Sequence, residues 1–155
     1  MSLPIGSSAR LVLREAVPED AAFMLALLNE PAWRRYIADH EIQTLAQAAQ
    51  YIEDKLICAY REHGFGLWIV IEQVTGTAVG LCGFLKREAL PVMDLGFAFR
   101  QAFWGRGYAK EASQAALDIA WQQGHSEVLA ITLPKNQRAI RTLESLGFGY
   151  RSVFS

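Results

Sequence analysis

The stretch Met93 to Ala112, M-D-L-G-F-A-F-R-Q-A-F-W-G-R-G-Y-A-K-E-A, constrains this chain more than any other. A short apolar strand runs into a loop holding Gly105 and Gly107, and a helix begins at once. Glycines there permit tight turning and close approach of a ligand to the backbone. The free N–H groups of a helix start carry partial positive charge and make a ready anion site. Arg106 and Lys110 flank it, and Arg100 precedes it, so all three are expected to add charge. A phosphate or pyrophosphate is the natural ligand. Taken alone, G-x-G before a helix reads equally well as a plain turn and helix start. It is not the G-x-G-x-x-G dinucleotide fingerprint, because position 110 is Lys, and no G-x-x-x-x-G-K-[ST] occurs anywhere.

The elements around this stretch follow from periodicity and punctuation. Arg10 to Arg14 alternates as a strand does, and Pro18-Glu19-Asp20 opens a helix over Ala21 to Leu28. Trp33 to Ile37 reads as a short helical piece. Thr44 is a good N-cap for a helix from Leu45 to about His63, stopped by Gly64. Phe65 to Glu72, Ala78 to Lys86 and Met93 to Phe99 read as three antiparallel strands of a meander. Then come a helix from Ala109 to Gln123, a strand from Glu127 to Leu133, a helix from Asn136 to Leu146, and the start of a last strand at Phe148 to Val153. The order β-α-α-β-β-β-α-β-α-β predicts a mixed α/β (α+β) layer domain around one sheet. Residues 1–9 read as a flexible N-terminal lead-in, and residues 10–155 as a single domain.

Composition narrows the function classes. In 155 residues, 52% are apolar and 20% charged, which suits one packed core. Fifteen basic and 16 acidic residues leave a formal charge of −1, without the basic excess of a nucleic-acid-binding domain. No run of ~18 apolar residues suggests a membrane span. Cys58 and Cys82 are the only cysteines, so neither a disulfide framework nor a cysteine zinc site is expected, and no metal is called for. The start has no charged n-region and no long apolar run, so it does not read as a signal peptide. These features point to a cytoplasmic protein.

Downstream, Asn136 opens N-Q-R-A-I-R-T-L-E-S-L-G-F, a capped helix stopped by Gly147. This segment and W-G-R-G-Y-A-K-E-A together resemble the GNAT superfamily of acetyl-CoA-dependent N-acetyltransferases. The opening L-R-E-A-V-P-E-D and the strand D-L-G-F-A-F are similar to its ribosomal-protein alanine N-acetyltransferase branch. The resemblance runs in register from Arg10 to Phe148. It implies the GNAT fold: a central, mostly antiparallel sheet with a splayed parallel pair, helices on both faces, and here a final strand that is short or missing.

The resemblance also implies roles. Backbone N–H groups across Gly105, Arg106, Gly107, Tyr108 and Ala109 would hold the CoA pyrophosphate, with Trp104 standing where many members have Gln or Arg. Backbone groups of Phe97, Ala98 and Phe99 would pair with pantetheine as an added strand would, and one would receive the thioester carbonyl. Asn136 would touch the pantetheine arm. Direct attack by an amine requires a base, and Asp94 and Glu30 are the two candidates. Each has a plainer reading: Asp94 as a strand-edge carboxylate, Glu30 as a helix-end surface residue. The general acid departs from the family pattern, because the positions where members carry Tyr or Ser are Leu143 and Ala139. Trp33, Tyr36 and Trp68 are candidates for an acceptor pocket, with core packing the plainer reading for Trp68.

Two functions remain open at this level. One is an N-acetyltransferase acting on a primary amine, either a protein N-terminus or a small amine. The other is a GNAT-like module that holds CoA or an acyl-CoA with little or no turnover. The few residues after Phe148 also suggest an unprotected sheet edge at the C-terminal side, and with it a homodimer.

Overall fold

The computed structural model of the chain describes residues 3–34, 42–132 and 135–150. Among them, six strands form one sheet in chain order: β1 Pro4–Ser7, β2 Leu11–Arg14, β3 Leu67–Glu72, β4 Ala78–Leu85, β5 Asp94–Phe99 and β6 Leu129–Ala130. Neighbours from β1 to β5 are antiparallel, joined by tight connections or by the helical layer between β2 and β3. The β5–β6 pair is parallel, because a helix carries the chain back across the sheet between them.

That crossover helix is α5, Tyr108–Gln122. It packs one face of the sheet, where Cys82 Sγ of β4 lies 3.7 Å from Ser113 Oγ. Burial pushes the Cys82 thiol up to about 12, so it is a core residue with no thiolate character. Trp68, Ile69 and Val70 are consecutive and all buried, so both faces of β3 are covered. Cover on the face opposite α5 comes from α1 Ala21–Leu28, α2 Pro31–Arg34, α3 Leu45–Tyr51, α4 Cys58–His63 and the segment between the last two; Met24 and Leu27 of α1 and Ile52 and Leu56 of that segment join the same core. The last helix is α6, Gln137–Ser145.

The helix expected from Leu45 to His63 forms between those limits, but Ile52–Ile57 winds as a wider π segment between α3 and α4. Its start is a reciprocal cap: Gln47 N–H donates to Thr44 Oγ1 at 3.1 Å, and Thr44 N–H donates to Gln47 Oε1 at 3.2 Å. Thr44→Ala removes one half of this exchange and is expected to cost about 1 kcal/mol. A lower urea midpoint at unchanged m-value would register that loss.

Three expectations are corrected. Residues 3–9 are not a free lead-in, because Pro4–Ser7 pairs antiparallel with β2. Four mostly exposed residues, P-I-G-S, carry no alternation to betray a strand, and their ladder partner creates it. Gly6 lies so close to α5 that a Cβ there would stand 2.7 Å from Ile119 Cδ1. The strand expected from Glu127 shrinks to Leu129–Ala130. Residues 148–150 are not strand, and 151–153 lie outside the described residues. Among the described residues, β6 is therefore the last strand at its edge.

Candidate active site

Strands β5 and β6 pair at only two positions, Asp94 with Leu129 and Leu95 with Ala130. Beyond Leu95 the pairing stops, and among the described residues the rest of the side of β5 turned away from β4 has no strand partner, which leaves an opening there. Backbone direction alternates along a strand, so one contact assigns the rest. Arg100 N–H donates to Val79 O of β4 at 3.0 Å. Ala98 N–H and C=O therefore also face β4, while those of Phe97 and Phe99 face the opening. This corrects the reading of Ala98, whose polar backbone belongs to the sheet. The Phe99 carbonyl is already engaged, accepting the indole N–H of Trp33 and that of Trp104, each at 2.8 Å. Among the described residues, the polar groups left along this edge are Phe97 N–H, Phe97 C=O and Phe99 N–H.

At the wide end of the opening lies the glycine loop. Gly105 and Gly107 adopt φ of 80° and 78°, the left-handed region that glycine enters without strain. Gly107 is the N-cap of α5 and offers no side chain, so nothing caps the first-turn N–H groups of Tyr108, Ala109 and Lys110. Fifteen residues of aligned peptide dipoles stand behind them. The loop is held from below. Tyr108 Oη donates to Glu72 Oε2, Arg106 Nη1 lies 3.4 Å from the same carboxylate, and Thr75 Oγ1 donates to its other oxygen at 2.8 Å. The Tyr108 and Thr75 hydroxyls, more than Arg106, draw the Glu72 carboxyl below its usual range.

These pairings correct the expected charge of the loop. Arg106 is matched by Glu72, and Arg100 by Glu30 at 2.8 Å. Arg10, close to Gly107, is matched by Glu111 at 2.7 Å. Of the three cations expected to flank the loop, Lys110 alone has no carboxylate partner among the described residues. An anion here would rely mainly on backbone N–H groups, the chemistry that helix starts supply.

The two candidate bases stand at opposite ends of β5. Phe97 pairs with Cys82, so it shares the α5 face; Asp94, Gly96 and Ala98 take the other face, under the helical layer. Asp94 is buried at the end where β5 and β6 meet, and Arg87 Nε donates to its Oδ1 at 3.0 Å. Burial pushes its carboxyl up, and Arg87 opposes that only in part. Glu30 belongs to the far end: its Oε2 accepts from Arg100 Nε and its Oε1 from Gln101 N–H, both at 2.8 Å. Six residues of strand, about 20 Å, separate Asp94 from Arg100. The two carboxylates therefore do not form a pair, and Glu30 is engaged in tying the start of α2 to the end of β5.

Asn136 caps α6, its Oδ1 accepting from Ala139 N–H at 3.1 Å. Leu143 is buried in the core, and Ala139 lies one turn before it. Trp68 is a core residue, 2% exposed, edge-on to Phe84. Trp33 stands edge-on to Trp104 at 6.2 Å. Tyr36 lies outside the described residues. Sequence reasoning missed Glu72, which it took only as the end of a strand, and Arg138, whose guanidinium lies over the Trp104 ring at 5.7 Å. Neither carries a local signal, since each meets its partner about 35 residues away in the chain. No group of three or more His, Cys, Asp or Glu is placed to hold a metal ion among the described residues, and no helix there is long and apolar enough to cross a membrane.

A family model described as an acetyltransferase (GNAT) domain matches residues 10–149. An uncharacterized protein of Bacillus subtilis, YkkB, is 35% identical over 147 residues, covering 91% of this chain and 83% of its own. A GNAT-family acetyltransferase structure from Bordetella pertussis superposes with a TM-score of 0.79 at 26% identity, covering 100% of this chain and 93% of the other. The RimL ribosomal-protein alpha-N-acetyltransferase in complex with coenzyme A superposes at 0.81, with 18% identity, 97% of this chain and 86% of the other covered.

Proposed function

The chain belongs to the GNAT acetyltransferase family, and on that footing we propose that it moves the acetyl group of acetyl-CoA to a primary amine, a protein N-terminus or a small amine. The observation that carries this reading is the opening between β5 and β6, with unpaired backbone on one wall and the uncapped start of α5 at its wide end. A phosphate-bearing end and an amide-bearing arm are what those two features suit. Pyrophosphate oxygens would take N–H groups from Gly105 to Ala109, and the arm would pair with Phe97 and Phe99. An arm running from the loop toward the meeting point of the strands brings its thioester to the Asp94 end. There a neutral amine attacks the acetyl carbonyl, its nitrogen gives up a proton to Asp94 Oδ, and the C–S bond breaks with CoA leaving as its thiolate, which takes a proton from solvent. Phe97 N–H is the donor available to the developing oxyanion. Glu30 acts as a positioning residue, through Arg100 and Gln101.

One observation favours a second reading, a CoA-binding module with little turnover. Leu143 puts a buried hydrocarbon where many family members carry a tyrosine acid, and Ala139 offers no hydroxyl either. Calorimetric titration with acetyl-CoA and desulfo-CoA, followed by thiol release against a panel of amines, separates the readings. Binding with amine-dependent release is expected. Binding with no release from any protein N-terminal peptide or small amine would favour the module, and absence of binding would sink both.

A further inference from the structure

The cations around the glycine loop are mostly spoken for; besides Lys110, Arg138 is not. Arg10, Arg100 and Arg106 each face a carboxylate, of Glu111, Glu30 and Glu72. Arg138 has no carboxylate partner among the described residues; its guanidinium lies over the Trp104 ring at 5.7 Å. Trp104 immediately precedes Gly105, and its indole N–H is fixed on the Phe99 carbonyl at 2.8 Å. The stack therefore joins α6 to the loop at the wide end of the opening, next to the bare N–H groups of α5. Arg138 also lies in the first turn of α6, where a helix dipole disfavours a cation and where no acidic residue offsets it. Such a guanidinium, exposed, without a carboxylate partner among the described residues and set over an aromatic ring, is placed for a bidentate contact with a phosphate.

We propose that Arg138, oriented by Trp104, is a donor-specificity residue that engages a phosphate group of the 3′-phospho-ADP end of the acyl-CoA. It would let the protein distinguish a full CoA thioester from one on a bare pantetheine arm. The assignment rests on reading the β5–β6 opening as the donor site. Trp104 then has two jobs: it closes the Phe99 carbonyl and it holds the guanidinium at the phosphate end.

The test is calorimetry with CoA, dephospho-CoA and pantetheine on wild type, Arg138→Gln and Arg138→Lys. Arg138→Gln is expected to weaken CoA binding by about tenfold or more, the usual scale of a charge-assisted contact. Pantetheine affinity stays unchanged, and Arg138→Lys recovers part of the loss. A loss for CoA alone assigns the 3′-phosphate, and an equal loss for dephospho-CoA assigns the pyrophosphate; either supports the proposal. Unchanged CoA affinity in Arg138→Gln, or a pantetheine loss as large as the CoA loss, overturns it while leaving the donor site in place. Wild-type protein that binds none of the three ligands overturns the donor site and the Arg138 role together. Arg138 is exposed at a helix start, so its variants are expected to fold, and circular dichroism confirms this before titration.

Discussion

Replacing Asp94 with Asn is expected to lower kcat by roughly 10²–10⁴-fold, the span for loss of a positioned general base, with acetyl-CoA affinity unchanged. The geometry behind this is the burial of Asp94 at the point where β5 and β6 meet, on the face turned from α5. Asn keeps an oxygen for Arg87 Nε, so the surrounding contacts survive. The pH profile gives a second measure. A base must be ionised to act, so kcat/KM falls as pH drops through the Asp94 pKa, which burial raises above the usual carboxylate range. Arg87→Ala removes the partner that pulls the pKa down, so the acid limb should move to higher pH. The stability sign runs the other way. A carboxyl whose folded pKa is raised stabilises the fold below its unfolded pKa and loses that contribution as pH rises through the folded value. Asp94→Asn, which cannot ionise, is therefore expected to be no less stable than wild type at neutral pH. An Asp94→Asn enzyme with the wild-type rate across pH would remove Asp94 from the chemistry.

Gly107→Asp is expected to weaken donor binding strongly with little harm to the fold. Gly107 is the N-cap of α5 with φ of 78°, a conformation that costs most side chains ~1–2 kcal/mol but that Asp tolerates better than most. Asp is also a favoured N-cap, and a Cβ at this position meets only Arg10 Nη2, at 3.6 Å. Its carboxylate would nonetheless occupy the N–H groups on which the pyrophosphate depends and add like charge beside it. A loss of acetyl-CoA affinity on the order of 100-fold, about 2.7 kcal/mol, follows. Pantetheine, which has no phosphate, should bind as before. Equal acetyl-CoA affinity in wild type and Gly107→Asp would mean that the start of α5 holds no anion.

Comparing the two carboxylates shows where sequence reasoning stops. Asp94 and Glu30 are both candidate bases in the sequence, Asp94 first and Glu30 second, because a sequence places both near the same expected chemistry. The fold separates them by the length of β5, buries one, and engages both oxygens of the other. Likewise the two arginines and one lysine of the loop read as one basic cluster, until Glu72 and Glu30 arrive from 34 and 70 residues away to pair with Arg106 and Arg100.

What the sequence by itself determined is local. The Thr44 and Asn136 caps, the glycine turn before α5, and the periodicities of β2 to β5 and of α5 and α6 each depend on residues within a few positions of one another. Those interactions act whatever the rest of the chain does, so they can be read directly. The tertiary structure alone decided that Pro4–Ser7 is a strand, that β6 pairs with β5 for two residues, that Ala98 turns its amide inward, and that Arg138 stands over Trp104. Each of these depends on a partner distant in sequence, and its choice is made by packing the whole sheet against both helical layers, which no local pattern encodes.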